Sequence, residues 1–150
     1  MVLLLLGLTA VACGDGSTLG PRDPAALQTR LVVESAPDGL AEAVVVDTAF
    51  WNPVALLATG DDTVLEVEGP FSIVFRNTTQ ESLEMRYDLR FLDDGDFLVD
   101  RFIPFGQPVS LAAGQPQRQE GRFVIRSTRQ IGRFGLVTMQ IAVRLVRPEP

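Results

Sequence analysis

The densest group of side chains that could do chemistry is a run of aspartates, Asp93, Asp94 and Asp96, with Asp100 nearby. Carboxylate oxygens suit Ca²⁺, but the run lacks both the spacing of an EF-hand loop and its closing Glu. Two carboxylates flanking a cleft could also cleave a glycosidic bond, whereas adjacent positions on one turn enclose no cleft. Asp-Gly at a strand junction is also ordinary turn chemistry. We therefore predict a turn here, with no catalytic residue and no cofactor, and keep a Ca²⁺ site and a carboxylate-based hydrolase as alternatives.

The composition removes most other catalytic chemistry. The chain has no histidine, and all 13 of its basic residues are arginine. Ser-His-Asp and Cys-His catalysis, Ser-Lys dyads, Schiff bases and the phosphate-loop lysine are thereby excluded. With 150 residues, 46% hydrophobic and 21% charged, the chain is expected to form one globular domain. No enzymatic activity is expected, because histidine and lysine are absent and the aspartates are grouped on one turn.

Charge is unevenly distributed around the net value of −6. Residues 61–100 carry eleven acids and three arginines, whereas residues 118–150 carry seven arginines and two acids. The basic residues either pair with acids across a sheet or form a basic face for an anionic partner such as lipid headgroups, glycan carboxylates or an acidic protein surface. The candidate face comprises Arg118, Arg122, Arg126, Arg129 and Arg133. Nucleic acid is not expected as a partner, because the chain is acidic overall.

An aromatic pair, Phe50 and Trp51, precedes Asn52-Pro53 in a segment without a clear period. Tryptophan is enriched among the residues that anchor protein interfaces, so the pair is a candidate partner-binding site. Large aromatic side chains also commonly close the open end of a β-sandwich. The sequence leaves both interpretations open.

The first thirteen residues predict a membrane anchor. Residues 1–12, MVLLLLGLTAVA, match the apolar core of a secretory signal and are too short to span a bilayer. The chain's one cysteine, Cys13, follows Ala-Val-Ala and precedes Gly-Asp-Gly, a pattern that resembles the bacterial lipobox. The resemblance implies that Cys13 is acylated and becomes the mature N-terminus. A secreted protein with a free thiol, or a wrongly assigned start followed by a buried strand, remains the alternative.

The chain is accordingly divided into three parts. Residues 1–12 are expected to be the signal peptide, and residues 13–24 the lipidated cysteine with a Gly- and Pro-rich tether. A coil of that length holds a domain roughly 20 Å from the lipid. Residues 25–150 are expected to form the domain, facing the periplasm. Gly14, in place of an aspartate after the cysteine, resembles the signal for outer-membrane sorting.

Alternating apolar and polar residues predict strands through most of the domain. The pattern is clearest at 71–76, 83–91 and 136–146, with shorter strands at 42–47, 97–103, 109–112 and 122–127. Residues 77–82 are expected to close a hairpin, and residues 84, 86, 88 and 90 to face water. Residues 25–33 read as a short helix turning into a strand, and 54–58 as ambiguous. The fold class is therefore all-β, an immunoglobulin-like antiparallel β-sandwich of about seven or eight strands.

Residues 71–96, FSIVFRNTTQESLEMRYDLRFLDDGD, resemble the central part of the YcfL-type family of small periplasmic lipoproteins and, more loosely, immunoglobulin-like domains of the FxLYD type. The shared features are a strand ending at Asn77, an aromatic-rich strand through Tyr87 and Phe91, and an Asp-Gly turn. The Ala-Gly turn at 113–114 and the strand at 44–47 also fit. The resemblance implies an envelope lipoprotein of immunoglobulin-like fold with no catalytic residues.

The functional expectation is a non-catalytic module, tethered by an acylated Cys13, that binds another envelope protein through an edge strand or a loop end. The alternatives are a lipoprotein that binds Ca²⁺ or another ligand, and a carboxylate-based hydrolase of the cell wall. Fold class by itself does not decide among them.

Overall fold

The computed structural model describes residues 27–58, 64–128 and 135–148. Nine strands lie in these residues, and they contain no helix. In chain order they are β1 (Gln28–Ser35), β2 (Val44–Trp51), β3 (Ala55–Ala58), β4 (Val64–Asn77), β5 (Leu83–Leu92), β6 (Leu98–Phe102), β7 (Val109–Leu111), β8 (Pro116–Thr128) and β9 (Thr138–Val146). A short helix turning into a strand was expected at residues 25–33. The described part of that segment, from residue 27, contains no helix and leads into β1, and the ambiguous segment 54–58 contains β3.

The strands form two sheets, which confirms the predicted β-sandwich. The first sheet runs β1, β9, β5, with β6 and β7 pairing with different stretches of the far side of β5. In the second sheet β8 pairs with nearly all of β4, while β2 and β3 share the other side of β4. Every pair is antiparallel except β1 with β9, which is parallel. Alternation within a strand carries no information about the direction of its neighbour, so this pair was not predicted.

The core lies between the sheets and is built from the residues that alternation assigns to one face. On β5 these are Leu83, Met85, Tyr87, Leu89 and Phe91, all buried. Phe75 on β4 meets Tyr87 edge to face at 5.2 Å, which places β4 across the core from β5. Edge-to-face aromatic contacts of this kind add stability beyond the area that they bury.

The connection from β4 to β5 corrects one expectation. Residues 77–82 do not close a hairpin, because β4 and β5 lie in different sheets. Buried Asn77 organises the crossing: its amide nitrogen donates to the carbonyls of Glu81 (2.8 Å) and Leu111 (3.0 Å), and its carbonyl accepts from the backbone N–H of Thr79 (2.9 Å). A hairpin and a sheet-to-sheet crossing both join two strands that bury one face, so the sequence pattern does not separate them.

The outward face of the first sheet holds a second correction. Asp88, expected to face water, is 1% exposed because two arginines lie over it. Arg90 Nε donates to one of its carboxylate oxygens at 2.9 Å and Arg144 Nη2 to the other at 3.0 Å. Both arginines also bind Glu34, at 2.5 and 3.1 Å. Asp88, Arg90, Glu34 and Arg144 thus form a closed ring of alternating charges, the charge ring, across β5, β1 and β9.

The two ends of the sandwich are called the Gln28 end and the Asn77 end, after a residue that each contains. At the Gln28 end, the N–H of Gln28 bonds the carbonyl of Val137, and the N–H of Val137 bonds the carbonyl of Leu92, so the start of β1 adjoins the end of β5. The turn at 93–97 follows directly. The Asn77 end lies opposite, where Leu83 pairs with Leu111.

Candidate interaction edge

Exposed apolar side chains are concentrated on one short part of the described chain, around β6. Four large ones lie within residues 97–105: Phe97, Leu98, Ile103 and Phe105. Phe105 is 94% exposed, more than any other large apolar side chain in the described residues. Groups of exposed large apolar side chains on a soluble protein are typical of interaction sites.

A glutamine side chain builds the loop that carries Phe105. β6 pairs with β5 from Leu89 onward and β7 pairs with it up to Met85, which leaves Tyr87 between them without a strand partner on that side. The side-chain amide of Gln107 takes that place: it accepts from the N–H of Tyr87 at 2.7 Å and donates to its carbonyl at 2.6 Å. It also donates to the carbonyl of Pro104 at 3.0 Å. Residues 103–106 therefore project from the sheet edge, with Phe105 among them.

A groove of about 180 Å³ separates this loop from β8. Aromatic side chains line most of one side of the groove, and the middle of β8 closes the other side. The lining residues are Phe71, Tyr87, Phe102, Pro104, Phe105, Gln119, Glu120, Gly121 and Arg122. The ring of Phe71 lies where a side chain at Gly121 would stand, since a Cβ there would come within 3.2 Å of it. The absence of a side chain at Gly121 thus lets the Phe71 ring pack beneath β8, at the floor of the groove.

β8 itself is an edge strand. Among the described residues it pairs with β4 on one side, and β6 of the other sheet lies near its second side. The N–H of Arg126 points to that second side, because it donates to the carboxylate of Asp100 at 2.7 Å. Backbone groups alternate in direction along a strand, so those of Glu120, Arg122 and Val124 point the same way. Asp100 covers one end of the edge and leaves the middle of β8 facing the groove.

A second, larger cavity of about 330 Å³ lies at the Gln28 end. It is lined by Val64, Leu98, Val99, Arg126, Ser127 and Thr128. Most of its surface is apolar, and Arg126 supplies the one charged group among these residues.

The predicted basic face is placed only in part. Arg118, Arg122 and Arg126 alternate along the exposed face of β8, while Arg129 and Arg133 lie outside the described residues. Arg122 binds Glu68 of β4 at 2.9 Å, and Arg126 stands opposite Glu66 in the strand register. Glu68 thus offsets the charge of Arg122, as the interpretation of pairing between neighbouring strands expects.

The predicted aromatic pair is divided by burial. Trp51 is 3% exposed, packs against Phe91 at 5.4 Å, and donates its indole N–H to the carbonyl of Gln28 at 3.1 Å. Trp51 lies at the Gln28 end, as expected of a side chain that closes an open end of the sandwich, and it offers almost no surface to a partner. Phe50 remains half-exposed on β2.

The aspartate run forms the predicted turn. The carboxylate of Asp93 accepts from the N–H groups of Gly95 and Phe97, both at 2.9 Å, and Asp96 adopts a positive φ of 62°. Asp100 accepts from backbone N–H groups instead of joining the turn. In the described part of the chain, no three histidine, cysteine, aspartate or glutamate residues are grouped so as to hold a metal ion. Cys13, the predicted lipidation site, lies outside the described residues.

Two side chains near these features have shifted pKa values. Burial raises the pKa of the Tyr87 hydroxyl from 10.0 to about 12. Burial by itself would lower the pKa of Arg90, but hydrogen bonds and charge from Asp88 and Glu34 outweigh it and raise the pKa. The Arg90 guanidinium of the charge ring therefore stays ionised.

Sequence reasoning missed Phe105 and Gln107. A signal for Phe105 was present, because Pro104, Gly106 and Pro108 surround it and exclude it from a regular strand. Gln107 gave no such signal, since its partner Tyr87 lies 20 residues away along the chain.

Comparison with known proteins leaves the family open. No protein-family model matches the chain, and no curated protein matches it. Among solved structures, it is similar to Campylobacter jejuni cj0090 (13% identity, TM-score 0.38, 78% of this chain and 98% of that one). It is also similar to the structural genomics target SoR45 (8% identity, TM-score 0.44, 73% and 90%). A family 2 β-glucuronidase matches at 8% identity and a TM-score of 0.33, over 71% of this chain and 11% of the enzyme. None of these likenesses is close enough to carry a functional argument.

Within the described residues, no helix has the length and apolar character needed to cross a membrane.

Proposed function

We propose that this chain is a lipid-anchored accessory module of the bacterial cell envelope, which holds another envelope protein and catalyses no reaction. The observation that carries the proposal is the edge of β8, a strand of 13 residues that pairs with β4 on one side only among the described residues and borders the groove below Phe105.

Support for the anchor comes from the N-terminal sequence. The apolar run of residues 1–12 ends at the chain's one cysteine, in the pattern of a lipobox. Acylation would attach more than one fatty acid chain, and stable membrane attachment requires more than one. The proposed location is the periplasmic face of the outer membrane.

Support for the binding mode comes from the backbone of β8. An extended segment of another protein can add to a sheet edge by main-chain hydrogen bonds, with pockets beside the edge selecting its side chains. Glu120, Arg122 and Val124 direct their backbone groups toward such a segment, and the groove beside them is apolar enough for one large apolar side chain. We therefore assign the partner as an extended segment with an apolar residue opposite Gly121. Charge contributes little to its selection, because Glu68 offsets Arg122.

Crosslinking in intact cells tests this assignment. A photo-reactive phenylalanine analogue placed at Phe105 is expected to form an adduct with one envelope protein, identified by mass spectrometry. The matched control is the same analogue at Phe50, which is half-exposed on the far edge of the second sheet. Equal capture at both positions, or none at Phe105, would contradict the proposal. Capture at Phe50 alone would instead support the aromatic-pair site predicted from the sequence.

A further inference from the structure

The described chain begins at one end of the sandwich, beside an exposed apolar tip. Gln28 opens β1 at the Gln28 end, and Arg30 lies 3.7 Å from Asp96 of the adjoining turn. The two residues that follow Asp96 are Phe97, 73% exposed, and Leu98, 57% exposed. These two side chains form the tip, and they lie at the end of the domain where the chain from Cys13 arrives.

Local bonding holds the tip outward. The backbone N–H of Phe97 donates to the carboxylate of Asp93, and its carbonyl accepts from the N–H of Asp93 at 3.0 Å. This closed turn fixes the backbone of Phe97 while its ring remains exposed. Leu98 continues from the tip into the cavity of about 330 Å³, beside Val64 and Val99. The exposed apolar surface is thus continuous with an apolar recess.

The length of chain before Leu27 decides what can cover this tip. Fully extended, residues 14–26 reach at most about 45 Å from Cys13, and a chain of that length with coil statistics spans about 20 Å. An acylated Cys13 therefore keeps the Gln28 end within about 45 Å of a bilayer. Tethering gives the bilayer a high effective concentration at the tip, which a freely diffusing protein does not have.

We propose that Phe97 and Leu98 insert into the interfacial region of the bilayer that holds the lipid anchor. This inference rests on the proposed acylation of Cys13. The tip then sets the orientation of the module, with the Gln28 end on the membrane and the groove below Phe105 facing sideways. Asp93 and Asp96 lie in the turn that leads into Phe97 and remain in the reporter variant, so zwitterionic lipid is preferred over anionic lipid.

The test uses the full acylated chain reconstituted in phosphatidylcholine vesicles. A cysteine introduced at the exposed turn, Asp94→Cys, carries a nitroxide and leaves Phe97 and Leu98 in place. The matched reporter at the opposite end is Gln80→Cys, in the exposed connection at the Asn77 end. Spin-label collision with oxygen, which concentrates in lipid, is compared with collision with a water-soluble nickel complex.

We expect the reporter at position 94 to favour oxygen and the reporter at position 80 to favour nickel. The double variant Phe97→Ser, Leu98→Ser should return position 94 to the value of position 80. Vesicles rich in anionic lipid should give a smaller oxygen preference at position 94 than phosphatidylcholine does.

Two outcomes would overturn the proposal: position 94 behaves like position 80 on vesicles, or its oxygen preference survives the double substitution. In the first case, protection of position 94 that appears only in native envelope membranes would assign the tip to a protein partner. Acylation of Cys13 is tested separately, by mass spectrometry of the peptide that contains it. A peptide without the mass of its lipids would overturn the proposed function together with this inference.

Discussion

At the scale of single residues, Tyr87 is a direct reporter of core burial. Its pKa is raised to about 12 because burial disfavours the tyrosinate. A raised pKa favours the protonated folded form, so this stability is fully present below pH 10 and is lost between pH 10 and 12. Two pKa units correspond to a loss of about 2.7 kcal/mol. The free energy of unfolding, measured with urea at pH 9 and pH 11.5, should show about 2 kcal/mol of this loss, because pH 11.5 still lies below the folded pKa of about 12.

The composition makes this measurement unusually clean. The chain has one tyrosine, no histidine and no lysine, so few other groups titrate between pH 9 and 12. The variant Tyr87→Phe is expected to abolish most of the alkaline loss while keeping the ring in contact with Phe75. An equally steep loss in that variant would show that another group is responsible.

Gln107 is the second residue at this scale, and its substitution tests whether its side chain holds the loop at residues 103–106. Gln107→Ala removes the amide that bonds the N–H and carbonyl of Tyr87 and the carbonyl of Pro104. Leaving such groups without partners costs about 1–3 kcal/mol. The expected result is lower stability in urea and faster hydrogen exchange across residues 103–106. Gln117→Ala, on an exposed part of β8, is the control, and equal effects from both variants would contradict the assigned role of Gln107.

At the scale of strands, the charge ring joins three elements of the first sheet. Asp88→Asn would leave Glu34 as the one carboxylate of the ring, shared by Arg90 and Arg144. Removing one member of a buried charge network is strongly destabilising, and partial exposure of the arginines reduces the expected cost to about 2 kcal/mol. Urea unfolding at low and high salt measures it.

The matched control for the charge ring is Glu81→Gln, which removes the partner of Arg147 in a pair that is half-exposed on both sides. Exposed pairs contribute about 0–1 kcal/mol and are screened by salt. A cost for Asp88→Asn no greater than that for Glu81→Gln, and equally sensitive to salt, would count against the ring.

Strands were also the level at which the sequence was most informative. Alternation from Leu83 to Phe91 predicted β5 and its core face, and the Asp-Gly turn predicted the β5–β6 hairpin. Sheet membership was not predictable in the same way, as the crossing at Asn77 shows. Nor was the burial of Asp88, since its two arginine partners come from different strands and one of them, Arg144, is 56 residues away along the chain.

The sequence predicted the type of candidate site, an edge strand or a loop end, but not the residues that form it. An edge strand was expected to bind a partner, but the predicted residues were the arginines and the aromatic pair. Arg122 proved to be paired with Glu68, and Trp51 to be buried. The groove depends on Phe71, Phe102 and Gly121, which come from three strands, and no spacing along one strand brings such residues together.

At the scale of the whole molecule, the proposals make the chain a sandwich that is held at one end by lipid and is open to a partner along one edge. The edge has a defined extent, because Asp100 covers the N–H of Arg126 and the groove adjoins residues 119–122. Covering part of an exposed edge in this way limits unwanted pairing between copies of a protein. The remaining stretch is where the partner is expected.

The most direct test of strand addition at this edge is the substitution Val124→Pro. The N–H of Val124 points away from β4, and proline is tolerated in edge strands where the lost N–H faces outward. The variant should therefore fold, and Val124→Thr is the matched control that keeps the N–H. With the photo-reactive group at Phe105, we expect Val124→Pro to abolish the envelope-protein adduct and Val124→Thr to retain it. Undiminished crosslinking in a folded Val124→Pro variant would contradict strand addition at this edge.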